Sequence, residues 1–236
     1  MTARLFRAEL LKIKGKGLWL LAVLGPLGVV GLQAVNCGVR KDYLFAQSDD
    51  RWGYYLLNVA SFTPLALVLG IVILTSFMAF IEEETGAWKT AAALPVPKSR
   101  LFLAKALVPM TLLLLSSGLL ALFTLAHGML LKLGGPVPWS DLTARSLLPF
   151  FAALPILALQ YWLSVASRHQ GVAVTAGVLG FLLTYNAHSL PDWLIWKWPV
   201  IAGSGDGAAR AALAGMAAGL ALIAAGMGHF SRKDVM

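Results

Sequence analysis

The chain has 236 residues, of which 58% are hydrophobic and 13% are Asp, Glu, Lys or Arg. A soluble domain carries about 25% charged residues, so close to half of the usual charge is missing. Long apolar blocks, nineteen basic against eleven acidic side chains and a single cysteine argue against a soluble enzyme, a nucleic-acid-binding module or a disulfide-stapled secreted domain, and for an all-α polytopic membrane protein.

The first segment is amphipathic. Leu5, Phe6, Leu10 and Ile13 can share one helical face, with Arg4, Arg7, Glu9 and Lys14 mostly elsewhere. That pattern predicts a cytoplasmic interfacial helix within residues 1–17, although a plain basic flank ahead of a first span reads similarly. Residues 18–236 then form one transmembrane domain built on six blocks: Leu18–Val35, Tyr55–Ile81, Ala106–Leu131, Leu147–Ala166, Val172–Leu190 and Ala211–Gly228. Each is near the ~20 residues that carry a helix across the hydrocarbon layer, and none holds a charged side chain. The blocks are continuous rather than alternating in polarity, which excludes a porin-like barrel. The first lacks a small-x-small cleavage site, and Asn36 beside Cys37 makes a poor lipoprotein-processing site, so it reads as a retained span.

Lys and Arg distribute unevenly over the connections. With the N-terminus inside, twelve lie on cytoplasmic segments and seven on the opposite side, which places both ends in the cytoplasm. Trp52, Trp139, Trp193, Trp196 and Trp198 fall on the expected outer connections, where indoles settle at the headgroup layer. The stretch Pro191–Trp198 suits simple anchoring or a short interfacial or re-entrant helix ending before Pro199.

The connection between the second and third blocks, Glu82–Lys105, is densely charged in both signs. Thr85-Gly86 can turn the chain, Ala87–Leu94 is alanine-rich and helix-competent, and Pro95 and Pro97 stop it. The expected result is a short cytoplasmic helix displaying Trp88 and Lys89; an ordinary solvated loop is the simpler alternative.

Several activities fail on chemistry. The spans contain no carboxylate for a proton relay, and His127 and His188 lie only near the outer ends of theirs. Gly15-Lys16-Gly17 lacks the spacing and the Ser or Thr of a phosphate-binding loop, so ATP must be hydrolysed elsewhere. Glu82-Glu83-Glu84 with His127 and His188 resembles fragments of the prenyl-protease-like families, but these groups fall on opposite membrane faces, too far apart for one site. The chain is therefore expected not to be an enzyme and to bind no metal or cofactor. The uncharged polar residues most able to line a cavity are Gln33, Asn58, Ser61, Thr63, Gln160, Tyr161, Ser164 and Asn186; helix-to-helix hydrogen bonding is their other use. Gly215-x-x-x-Gly219 in the last block permits close helix contact, within the subunit or between subunits.

Five features in order carry a family resemblance: Glu9-Leu-Leu-Lys12, Glu84-x-Gly86-x-Trp88-Lys89, Leu94-Pro95-x-x-x-x-Arg100, Ala104-Lys105 and Phe230-x-Arg-Lys-Asp234. With six spans and no large outer domain, the chain resembles the permease subunits of ABC-2-type transporters, of type V exporter-like architecture, and among them the bacteriocin or lantibiotic immunity permeases. The resemblance implies a bacterial cytoplasmic-membrane location and a separate ABC ATP-binding subunit that carries ATP and Mg. It also implies a second permease subunit, identical or related, and a coupling segment at Glu82, Glu83, Glu84, Gly86, Trp88 and Lys89. The implied cargo is a cationic, hydrophobic antimicrobial peptide. A drug, small antibiotic or lipid would keep the family and change the cargo. A non-transporting scaffold or sensor subunit is the competing class.

Overall fold

The computed structural model describes residues 2–45, 48–85, 96–167 and 169–232. These residues form helices and no strand. In chain order they are α1 (Thr2–Lys12), α2 (Leu18–Phe45), α3 (Arg51–Glu84), α4 (Lys98–Leu130), α5 (Trp139–Ala152), α6 (Leu154–Ala166), α7 (Gln170–Tyr185), α8 (Trp198–Ser204) and α9 (Ala208–Arg232), with a 3₁₀ turn at Ala187–Ser189.

Five stretches are long and apolar enough to cross a membrane: Leu18–Arg40, Arg51–Glu84, Lys98–Leu130, Trp139–Ala166 and Ala208–Arg232. The helices outrun the expected blocks because propensity and packing continue past the last strictly apolar residue. Thus α3 extends from Arg51 through Glu84, and its N-terminus is capped by Asp50, whose carboxylate accepts from the Gly53 amide at 2.9 Å. Trp52 therefore lies inside α3 and is buried, not on an outer connection. The fifth expected block contracts instead. Its helix, Gln170–Tyr185, has 16 residues and reaches roughly 24 Å. Asn186 ends it, turning its side-chain amide back to the Leu182 carbonyl at 3.0 Å.

The fourth crossing is two helices in line. Pro155 has no amide to continue the ladder, so α5 and α6 meet at Ala153, whose amide still bonds the Pro149 carbonyl at 2.9 Å. After the Trp-rich stretch Pro191–Trp198, α8 starts at Trp198 with Pro199 in its first turn, rather than stopping before it. A proline is tolerated there because the first helical amides have no intrahelical partner.

The core runs along the middle of the bundle. Val68, Ile71 and Leu74 of α3 pack with Val108 and Leu112 of α4 and with Ile156 and Leu157 of α6, while Ile13 and Leu18 close it at one end. Helix α9 lies against α5 and α6. A Cβ on Gly215 would stand 2.5 Å from the Ala152 Cα, and one on Gly219 would stand 2.7 Å from the Leu154 Cβ. The small-residue face of α9 is thus spent within the subunit.

Two ends of the bundle can be distinguished. One gathers α1, the C-termini of α3, α6 and α9, and the N-termini of α4 and α7. The other gathers Trp52, Tyr55 and His127, with the Tyr55 hydroxyl 2.8 Å from His127 Nδ1.

Candidate functional site

The α1 end carries the strongest concentration of buried charge. Helix α1 forms over Thr2–Lys12 and lays Phe6 and Leu10 on the core, with Ile13 just beyond its end, which turns Glu9 inward to 7% exposure. Helix α4 begins directly after Pro97, so Lys105 falls about two turns inside it and is fully enclosed. Glu82 sits in the last turn of α3, also buried. Lys105 Nζ bonds the carboxylates of both Glu82 and Glu9, the latter at 3.3 Å, and Lys12 Nζ reaches the other oxygen of Glu9 at 3.1 Å. One enclosed ammonium therefore ties three helices together. Such a cluster adds little net stability over apolar packing, but losing one member strands a buried charge at a cost of about 3–5 kcal/mol.

Of the residues expected in the coupling segment, Glu82 belongs to α3, which continues through Glu84, and burial against Lys105 takes it out of solvent. Glu83 and Glu84 are exposed, and Glu83 accepts a 3.0 Å hydrogen bond from the Gln170 side chain at the start of α7. Gly86, Trp88 and Lys89 lie outside the described residues. The Glu9-Leu-Leu-Lys12 and Ala104-Lys105 stretches meet here in space, a contact that no sequence spacing announces.

Beside the cluster is a cavity of about 210 Å³, bounded by Met78, Ala79, Glu82 and Glu83 of α3, Tyr161, Ser164 and Val165 of α6, Ser167 and Gln170. A larger cavity of about 450 Å³ lies between α2, α3 and α4, with Phe181 of α7 at its wall. Its lining is apolar apart from Thr63, Ser116 and Ser117. Leu24, Leu32, Phe62, Leu69 and Ile73 line it and are also exposed on the outside of the bundle, so it opens sideways. Gly25 and Gly28 contribute no side chain to fill it.

The polar residues expected to face a cavity divide between these places and the helix contacts. Thr63 lines the larger cavity while its hydroxyl donates to the Val59 carbonyl at 3.0 Å. Tyr161 and Ser164 line the smaller one. Gln33, Asn58, Ser61, Gln160 and Asn186 line neither. Gln33 Nε2 donates to the Asn58 carbonyl at 3.0 Å, and Gln160 Nε2 donates to the Ala173 carbonyl at 2.7 Å, joining α2 to α3 and α6 to α7. Asn58, Ser61 and Asn186 each donate to a carbonyl one turn back, the local satisfaction that an apolar surrounding demands.

The acidic and histidine groups weighed for hydrolysis stay apart. Glu82 and Tyr55, the partner of His127, stand at opposite ends of α3, roughly 40 Å along its axis. Among the described residues, no three His, Cys, Asp or Glu side chains gather in a group able to hold a metal.

Residues 5–184 match the family model described as ABC-2 family transporter protein. No curated protein and no solved structure gives a match. The family match spans well over half of the chain and agrees with five membrane-length apolar helices, so the chain belongs to the ABC-2 transporter family, as a multi-pass membrane transport component that is not itself catalytic.

Proposed function

We propose that the chain is the permease subunit of an ATP-driven exporter that removes a hydrophobic, lantibiotic-like peptide from the bacterial cytoplasmic membrane for self-protection. The carrying observation is the sideways-opening apolar cavity between α2, α3 and α4, in a chain of the ABC-2 family. A cavity that opens through exposed leucines and phenylalanine draws cargo from the bilayer rather than from water.

The α1 end then faces the cytoplasm, the side to which the sequence count assigns twelve of the nineteen basic residues, and α7 with its following turn is the sixth crossing. Two ATP-binding subunits pair with two permease subunits. Their ATP-driven closure pushes on the segment from Glu83 to Lys89, and the Lys105 cluster carries the movement to α1, α3 and α4 together. ATP and Mg stay on the partner subunits. A small drug, antibiotic or lipid is the second reading of the cargo, favoured by the cavity volume, which falls in the range of pockets for drug-sized ligands, about 300–1,000 Å³.

The test is purification of the tagged chain from native membranes in mild detergent, with intact-complex mass and ATPase activity. Co-purification of a nucleotide-binding protein at one-to-one stoichiometry is expected, with hydrolysis stimulated by candidate peptides. Recovery of the chain alone under several conditions would move the assignment to a scaffold or sensor subunit.

A further inference from the structure

We propose that the outward face of α1, with the turn into α2, is a docking surface for anionic phospholipid headgroups of the adjoining leaflet. An amphipathic helix at an interface ordinarily lays its apolar side in the membrane. Here that side is committed to the bundle, because Phe6, Leu10 and the following Ile13 pack on the core. Glu9 turns inward with them and is engaged by Lys105 and Lys12. At 3.6 residues per turn, the opposite side presents Arg7, Leu11, Arg4, Ala8 and Lys12 as one continuous strip, and all five are exposed. The one acid of α1 is hidden, and every charge left outside is positive.

The strip continues past the helix. Lys14 and Lys16 are exposed on a turn in which Gly15 and Gly17 take φ of 80° and 81°. Ile13 and Leu18 share one core cluster, so the end of α1 stands level with the start of α2, the first of the membrane-length helices. The basic residues are thereby held where a crossing helix enters hydrocarbon, which is the level of the lipid phosphates. Two apolar groups mark the same level. Leu11, in the middle of the strip, is 68% exposed, and Trp19, in the first turn of α2, is 44% exposed. A headgroup layer accepts a leucine and an indole at its acyl boundary while its phosphates meet the flanking Arg and Lys. An acidic protein surface would meet the charges and leave Leu11 without an apolar partner.

Neighbouring charge does not reverse the sign. Helix α4, against which α1 packs, contains no acid. Glu82 is buried on Lys105, and Glu83 is turned to Gln170 of α7, which leaves Glu84 against Arg4, Arg7, Lys14 and Lys16. The charged residues outside the described set in the connections of this end and the C-terminal tail are Lys89, Arg168, Lys233 and Asp234, and they sum to positive charge. A plain basic flank sets the direction of insertion and afterwards has no preference among lipids. A docking strip keeps that preference in the folded protein. The inference requires nothing of the exporter reading, because neither cargo nor ATPase enters into it.

The test uses the purified full chain in detergent micelles, with thermal unfolding followed by tryptophan fluorescence. Dioleoylphosphatidylglycerol is titrated in, against equal additions of dioleoylphosphatidylcholine. A saturable rise in Tm is expected for the glycerol lipid alone, because a ligand of the folded state stabilises it by mass action. High salt should abolish the rise, since screening shortens the reach of exposed charges. Arg4→Gln combined with Arg7→Gln should weaken the phosphatidylglycerol midpoint about tenfold. Lys132→Gln combined with Arg210→Gln removes two exposed charges from the other end of the bundle and should leave the midpoint within about twofold. Equal responses to the two lipids overturn the proposal, as does a rise that survives high salt or an equal shift in the two double variants. Should the α1 variant fail to fold, Lys14→Gln with Lys16→Gln decides in its place. An α1 variant that keeps its lipid response but loses a co-purifying protein would assign the strip to that protein and overturn the lipid assignment.

Discussion

Lys105 and Glu82 are bonded to each other at the foot of the bundle although 23 positions separate them, and the segment 86–95 lies between them in the chain. Both roots of the segment that joins α3 to α4 are therefore fastened by one buried pair. Force delivered anywhere between them reaches α3 and α4 at once, and Glu9 extends the connection to α1.

Replacing Lys105 tests this junction. Lys105→Met leaves Glu9 and Glu82 without their shared ammonium and should destabilise the folded chain by about 3–5 kcal/mol, read as a lower Tm in detergent. Adding Glu9→Gln and Glu82→Gln to the same chain should recover most of the loss, because the stranded charges are gone. A Lys105→Met variant with unaltered Tm would show that the cluster is not closed in the folded protein.

The contact of α9 with the α5–α6 junction makes a sharper steric prediction. Gly215→Ala forces a methyl to within 2.5 Å of the Ala152 backbone and should cost about 1–3 kcal/mol. Gly228→Ala, where a Cβ meets nothing within 4 Å, should be neutral or slightly stabilising. Equal Tm values for the two variants would contradict the close approach.

Narrowing the larger cavity should act on cargo and not on folding. Ser116→Phe projects a ring into it and should raise the cargo concentration for half-maximal ATPase stimulation about tenfold, with basal hydrolysis retained. Unchanged stimulation would place the cargo path elsewhere.

The segment after α3 offers a coupling test. Gly86→Pro and Glu84→Lys are expected to reduce cargo-stimulated hydrolysis several-fold while membrane insertion, measured by protease protection, stays normal. Full stimulation in both variants would remove this segment from the ATPase contact.

Orientation is open to direct labelling. In a Cys37→Ala background, a cysteine at Ser99, near the start of α4, should react with a membrane-impermeant maleimide only in broken or inverted membranes. Reaction in intact cells would reverse the assignment of the two faces.

The apolar helices were legible because crossing hydrocarbon is a one-dimensional demand, written in consecutive residues. Their ends were not, since Arg51, Trp52, Glu82 and Lys98 belong to helices that the charge pattern assigned to connections. Lys105 is the instructive case. Counted as one more basic residue of a cytoplasmic loop, it is enclosed by partners from two distant helices, and sequence distance hides such partners. A clue was present, since Lys105 stands alone within the otherwise apolar run from Leu101 to Met110. The polar side chains could be picked out of the apolar blocks, but not sorted by role. Gln33 and Gln160 bridge neighbouring helices, Thr63 and Tyr161 line cavities, and composition is the same for either use.

The ion cluster also orders the chain's synthesis. Glu9 emerges first and Glu82 second, yet the ammonium that reconciles them lies on α4, which is made later than both. A nascent chain stopped before residue 98 carries both carboxylates with Lys12 as the one cation of the cluster yet made. The three-helix junction that encloses Glu9 and Glu82 is therefore complete only once α4 has been made.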